Sequence, residues 1–400
     1  MINFQDKIQV LATAEPAFES VNIGIFGSDE DNFVDSIKDM LEMKRHYAEE
    51  RYTEFRAVMQ VHGYAWEAFK VPTEDGYTLT TFRVTGKVQE DGSVVTRDPT
   101  EPPVLVQHGL GSDAATWLWT YTKGVPLPLQ LYDEGFDVWL GNNRGTGYSQ
   151  VHESLSSDQK EFWQYDWAEM GRYDTPANIS MIKEQTGFEK ILYLGYSQGT
   201  TQMFYGLSKY EESFYADSLL KFTAFAPCIR FAQDSEKVWS RSIFRYDDLG
   251  IYAEGGRFQP GNIAKICTHI PRNCKQAVEW LPMQPSSVQS SLHYGQCSIE
   301  KRFQEYSPTY ELGDTQTALI PLDSIDKVPI AMFVGKDDHL CDAEQARDIR
   351  DTVGAAIQHY EELDGFTHLT FGGNSSPDFV QKVVNQLKTG YDRPQRHFLQ

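Results

Sequence analysis

Residues 190–199 read Lys-Ile-Leu-Tyr-Leu-Gly-Tyr-Ser-Gln-Gly, and a helical segment begins near Gln198. The run Lys190 to Leu194 is short and apolar, so it reads as a buried strand. The next five residues form the string Gly-x-Ser-x-Gly. Alone, such a string is a weak signal. Set between a strand and a helix, it describes a nucleophile elbow. There the chain reverses so tightly that small residues must flank the serine, and the N-terminus of the following helix faces the reacting atom. Gly195, Ser197 and Gly199 meet those demands.

Outward from this point the chain alternates short apolar runs with longer helical segments. Strands are expected at 103–107, 136–140, 190–194, 221–226 and 328–334, with 356–363 a weaker candidate; helices are expected around 161–186, 198–211, 343–353 and 377–389. Strand and helix in alternation imply an α/β protein with a mostly parallel sheet covered on both faces. Ahead of it, Trp66–Pro72 and Tyr77–Gly86 alternate around Asp75-Gly76 and predict a β-hairpin. Residues 30–60 are charge-rich with apolar positions at helical spacing, among them Phe55, Val58 and Met59, and read as one or two amphipathic helices. Between Pro227 and Ile320 the rhythm stops, and about ninety residues carry aromatics such as Trp239, Tyr252, Trp280, Tyr294 and Phe303 without a clear strand. An insertion there is most simply a cap over the C-terminal edge of the sheet, where ligands bind in open α/β folds.

A serine hydroxyl is a poor nucleophile at neutral pH; it needs a base, and the base needs a carboxylate to orient it. After an elbow serine these partners follow in the order acid, then histidine. The run Val328–Val334 leads into Gly335-Lys336-Asp337-Asp338-His339, which makes Asp337 and Asp338 both candidates for the acid. Of the later histidines, His339 abuts the acids, His359 lies in a strand candidate and His397 is near the end, leaving His368, in the loop before the last helix, as the base. The oxyanion needs two backbone N–H groups. Gln198 supplies one, and Leu110, in the His108-Gly109-Leu110-Gly111 stretch after strand 103–107, supplies the other.

Composition narrows the partners. The 400 residues carry 57 acidic against 36 basic side chains, a formal net charge of -21, which argues against nucleic acid and anionic membrane surfaces. With 40% hydrophobic residues the chain can bury a large core. The most apolar stretch, Leu219–Ala232, is broken by Lys221 and Arg230, so no transmembrane segment is expected. No basic-then-apolar leader is visible at the start. The spacing of Cys267, His269, Cys274, His293 and Cys297 fits no structural zinc module, and no phosphate-cradling glycine loop with its lysine is found, so neither metal nor organic cofactor is expected. Cys267 and Cys274 are close enough in sequence to close a small disulfide loop within the cap.

Several separated segments, in order, resemble the acid lipases of the α/β-hydrolase superfamily, which include gastric and lysosomal acid lipase. They are Gly63-Tyr64 with Glu67 and Asp75-Gly76-Tyr77, His108-Gly109-Leu110, Phe136–Asn142 with Arg144-Gly145, Glu161-Phe162-Trp163 through Asp166 to Tyr173–Ala177, Gly195–Thr201, Ser286–Gln289 with His293 and Gln296, and Val328–Ile330 through Gly335, Asp338 and Asp342 to His368-Leu369. The resemblance covers roughly Val58 to Leu387. It implies an α/β-hydrolase fold whose mainly helical cap is inserted before the acid-bearing strand, and it favours Asp338 over Asp337. It further implies a serine ester hydrolase acting on lipid esters such as triacylglycerol or steryl esters at an apolar interface. Tyr196 stands where animal members usually have His, Ala65 where Pro is usual, and Thr370 where Asp is frequent. The expected organisation is a helical arm over 1–60, a first core part over 61–226, a cap over 227–319 and a second core part over 320–400. Two alternatives use the same fold: a catalytically silent scaffold subunit, and an acyltransferase using the same triad. The resemblance implies a secreted or lysosome-like protein, and a native start at Met1 would imply an intracellular one. Sequons at Asn178 and Asn374 permit glycosylation.

Overall fold

The structure is a computed structural model and describes residues 53–119, 124–232, 256–258, 284–311, 313 and 316–391. Eight strands form the main path of one sheet: β1 (Tyr64–Pro72), β2 (Tyr77–Val88), β3 (Pro103–Gln107), β4 (Asp137–Gly141), β5 (Ile191–Tyr196), β6 (Leu219–Phe225), β7 (Ile330–Gly335) and β8 (Ile357–Leu363). Their order is β1-β2-β4-β3-β5-β6-β7-β8, with two-residue strands at Val94–Val95 and Val151–His152 pairing onto β2. The β1–β2 and β2–β4 pairs are antiparallel, and every pair from β4 to β8 is parallel.

The hairpin β1–β2 turns where Asp-Gly predicted it. Gly76 takes φ +95°, open to a residue without Cβ, and the Thr73 hydroxyl accepts the Tyr77 N–H. The central strands β3, β4, β5, β6 and β7 are buried at every position, which is why they read as continuous apolar runs and not as alternations. β8 is the edge strand; it carries Gln358 exposed and His359, Glu361 and Glu362 half-buried, so its apolar signal is weak for the reason that edges carry charge.

Helices α1 (Thr53–His62), α2 (Leu127–Asp133), α3 (Thr175–Thr186), α4 (Gln198–Tyr210), α5 (Val288–Glu300), α6 (Ala343–Val353) and α7 (Pro377–Leu387) accompany the strands. The core divides between two clusters. Leu105, Trp139, Tyr193, Phe222 and Met332 belong to one, with α4 and α6; Val104, Val106, Leu194, Phe225 and Phe333 belong to the other, with α1, α2 and α7. Successive strand residues fall in opposite clusters because side chains alternate across a sheet. α1 sets Phe55 and Met59 into the second cluster, Phe55 stacked on Phe82 with ring centroids 3.9 Å apart. The expected break after residue 60 therefore falls inside a helix whose apolar face is core. Residues 1–52 lie outside the described residues.

Most of the expected cap also lies outside them, including Trp239, Tyr252, Cys267, His269, Cys274 and Trp280. Its described part contains α5, which is held to the 162–170 segment. The Ser287 hydroxyl donates to the Trp163 carbonyl, and the His293 ring stacks on Trp167 at 3.8 Å. Asn178 is fully buried and accepts a hydrogen bond from Thr81, so that sequon has no room for a glycan. Among the described residues, no helix is long and apolar enough to cross a membrane.

Candidate active site

Ser197 occupies the turn between β5 and α4, with φ 53° and ψ -119°. That backbone conformation is costly for a residue with a Cβ and survives only where the surroundings enforce it. Here Ser197 donates its N–H to the Phe225 carbonyl, and its own carbonyl takes the Thr200 N–H and hydroxyl. The flanking glycines are required by contact. A Cβ on Gly195 would come 2.6 Å from the Gly199 carbonyl oxygen, and one on Gly199 would meet the carbonyl oxygens of Gln107 and His108 at 2.7 and 2.9 Å.

His368 lies in the loop after β8, with Nε2 2.8 Å from Ser197 Oγ and Nδ1 2.7 Å from Asp338 Oδ2. An ionised carboxylate can only accept, so Nδ1 carries the proton and Nε2 is left to accept the serine hydroxyl. The second Asp338 oxygen accepts the N–H groups of Leu340 and Cys341, at 2.9 and 2.8 Å. All three side chains are buried, with Ser197 7% exposed and the others less. Of the two adjacent aspartates, Asp338 reaches the histidine; Asp337 is exposed, its N–H held by the Phe366 carbonyl. His339 is exposed and His359 pairs with Glu361 on the edge strand, while His397 lies outside the described residues.

The loop carrying Leu110 lies against the serine: a Cβ on Gly109 would come 2.9 Å from Ser197 Cβ and 3.4 Å from Oγ. His108 fixes its orientation. Nε2 accepts the Asn143 N–H at 3.1 Å, so Nδ1 is the protonated nitrogen and donates to the Gly109 carbonyl at 2.8 Å. Burial holds this imidazole neutral, its pKa lowered to about 4 against the opposing pull of the Gly109 carbonyl. The Ser112 N–H is the second donor on that carbonyl. In a trans peptide the N–H points opposite to the C=O, so the anchored Gly109 carbonyl turns the Leu110 N–H the other way. Gln198 is the first residue of α4, where N–H groups have no intrahelical acceptor.

Two further contacts escape a reading of the sequence. The Tyr196 hydroxyl donates to the His368 carbonyl at 3.0 Å, which ties the end of β5 to the loop bearing His368. Thr370 closes that loop, its hydroxyl accepting the Thr367 N–H at 3.0 Å. The only signal available in advance was the aromatic side chain inside the Gly-x-Ser-x-Gly string. A third feature, a disulfide between Cys228 and Cys341, joins residues 113 apart in sequence. Among the described residues, no group of three or more His, Cys, Asp or Glu side chains is arranged to hold a metal.

Comparison with known proteins gives consistent findings. The family described as "alpha/beta hydrolase fold" matches residues 102–239, and the "Partial alpha/beta-hydrolase lipase region" matches residues 55–121. Gastric triacylglycerol lipase of Rattus norvegicus is 30% identical over 355 residues, which is 81% of this chain and 88% of that one. Lysosomal acid lipase/cholesteryl ester hydrolase of Homo sapiens is 28% identical over 378 residues, 83% of this chain and 90% of that one. Among solved structures, that of DcsB in complex with its substrate analogue aligns at a TM-score of 0.52 and 14% identity, covering 81% of this chain and 98% of that one, a likeness of fold.

Proposed function

Since the chain belongs to the acid lipase family of the α/β-hydrolase superfamily and is a carboxylic ester hydrolase of lipase type, we propose that Ser197, His368 and Asp338 carry the reaction through an acyl-enzyme on Ser197. The observation that supports this most strongly is the unbroken hydrogen-bond chain from Ser197 Oγ through the His368 ring to Asp338, set on a strained elbow.

Ser197 Oγ attacks the ester carbonyl while His368 Nε2 takes the hydroxyl proton. Asp338 keeps that imidazole in the correct tautomer and stabilises its cation. The oxyanion forms within reach of the Leu110 and Gln198 N–H groups, each donor worth about 3–4 kcal/mol. His368 then returns the proton to the departing alkoxide, and a water activated by the same ring releases the acid from Ser197. The substrates are lipid esters of the kind in the relatives' names, triacylglycerols or steryl esters.

Ser197→Ala tests the assignment. It should leave the circular dichroism spectrum unchanged and abolish turnover of a short-chain nitrophenyl ester. Turnover retained within an order of magnitude of wild type would remove Ser197 from the mechanism. Product analysis with added glycerol or sterol separates hydrolysis from acyl transfer.

A further inference from the structure

The Cys228–Cys341 disulfide sits where two triad-bearing segments approach each other, and both sulfurs are buried, at 1% and 0% exposure of their residues. At one end, Cys341 donates its N–H to Asp338 Oδ1, and Leu340, beside it, donates to the same oxygen. At the other, the Cys228 N–H goes to the Thr200 hydroxyl at 3.0 Å, and that hydroxyl donates to the Ser197 carbonyl. Each cysteine backbone is thus linked by hydrogen bonds to a different triad member, and the covalent bond joins the two ends. The chain that follows β6 is further bound to the acid loop by Ala232 N–H on the Leu340 carbonyl, and to α6 by Gln345 accepting from Ile229 and Arg230.

Besides these contacts, the acid loop is held by the Asp338 N–H on the Gly335 carbonyl and the Asp337 N–H on the Phe366 carbonyl, neither of which ties it to the elbow. Asp338 lies three residues past the end of β7, on a loop whose neighbours Asp337 and His339 are exposed. A carboxylate that orients an imidazole must keep its position to a fraction of an ångström, since a displacement near 1 Å costs on the order of a hundredfold in rate. We propose that Cys228 and Cys341 are a positioning pair for this reaction: their covalent bond fixes the acid loop to the nucleophile elbow and so keeps Asp338 on His368. Full turnover then requires the bonded pair. The inference rests on the triad reading above.

The test is a double-mutant cycle on the whole chain. Cys228→Ala with Cys341→Ala should lower kcat for the nitrophenyl ester about tenfold to a hundredfold with KM within about twofold of wild type. In an Asp338→Asn background the same pair should cost less than about twofold, because the group it positions has already lost its function. A merely structural bond would give equal losses in both backgrounds, and that result, or an undiminished kcat when the pair is removed from the otherwise wild-type chain, overturns the proposal. If the double-alanine variant does not fold, Cys228→Val with Cys341→Ala refills the volume and is read the same way. Full turnover by Asp338→Asn alone is a distinguishable failure: it removes the acid assignment and this proposal with it.

Discussion

Ser197 is held in a backbone conformation that costs on the order of 1–3 kcal/mol, and the glycines around it show how the cost is enforced. Gly109 is the most telling, because its missing Cβ leaves room for the serine side chain itself. Gly109→Ala is expected to reduce kcat/KM by at least tenfold, since the added methyl must displace either Ser197 or the peptide bearing the Leu110 N–H; steady-state kinetics on a soluble ester checks this. Tyr196→Phe removes one hydrogen bond to the His368 carbonyl and should cost about 1 kcal/mol of stability with a few-fold loss of kcat, read from urea unfolding and turnover in the same buffer. Asp338→Asn should lower kcat by about four orders of magnitude, because an amide no longer favours the tautomer whose Nε2 accepts the serine proton. At this scale Ser197 and His368 were legible from residue order and loop position, both Asp337 and Asp338 stayed open on that ground, and the resemblance favoured Asp338, the one that reaches His368. The support given by Tyr196 and by the His108 ring was not legible, because hydrogen bonds to backbone carbonyls leave no spacing in the sequence.

Element by element, the strands around the elbow and the helices α4, α6 and α7 fell where continuous apolar runs and helical spacing put them, α3 covers only the C-terminal part of the helix expected around 161–186, and β8 was weak because an exposed edge keeps its charges. The helix α5 illustrates what periodicity does not convey: it is fastened by a buried ion pair. His293 Nδ1 lies 3.1 Å from Asp166 Oδ2, and its Nε2 donates to the Gln304 carbonyl at 2.7 Å. Burial alone would push the imidazolium's pKa down, but the facing Asp166 carboxylate raises it well above the ordinary value, and Asp166 is lowered in turn. Glu169, which accepts the Asp166 N–H, is raised to about 7, first by burial and then by the Asp166 charge. A carboxyl whose pKa is higher folded than unfolded binds an extra proton in the native state between the two values. Its contribution is therefore present below the unfolded value near 4.5 and lost as pH rises through 7. Glu169→Gln keeps the acceptor for the Asp166 N–H but cannot ionise. Relative to wild type it should gain on the order of 1–2 kcal/mol on passing from pH 5 to pH 8, as measured by urea unfolding at both pH values. A variant whose difference from wild type is the same at both would place the Glu169 titration elsewhere.

Across the whole molecule, distant segments are joined by contacts that sequence separation hides. Arg144 is buried and pairs with Asp174 and with Asp75 of the hairpin turn, which fastens the two-stranded antiparallel end to the parallel sheet. Arg144→Ala leaves the buried Asp174 carboxylate unpaired and should cost about 3–5 kcal/mol in urea unfolding, far more than the loss of any exposed pair such as Lys336–Asp364. The disulfide is the other such contact. Five scattered cysteines named no partners, and the local pair Cys267 and Cys274 drew attention because short spacings are visible; the 113-residue separation of Cys228 and Cys341 is closed only by neighbouring strands β6 and β7. What the sequence showed of the molecule was the sheet and the residues at its strand ends, and that is where the proposed chemistry gathers.

The most direct measurement is covalent labelling by a fluorophosphonate, with the modified peptide mapped by mass spectrometry. Stoichiometric modification at Ser197, abolished in Ser197→Ala and slowed by at least a hundredfold in His368→Ala, is the expected result. An unlabelled wild-type protein, or a label borne by a different serine, would contradict it.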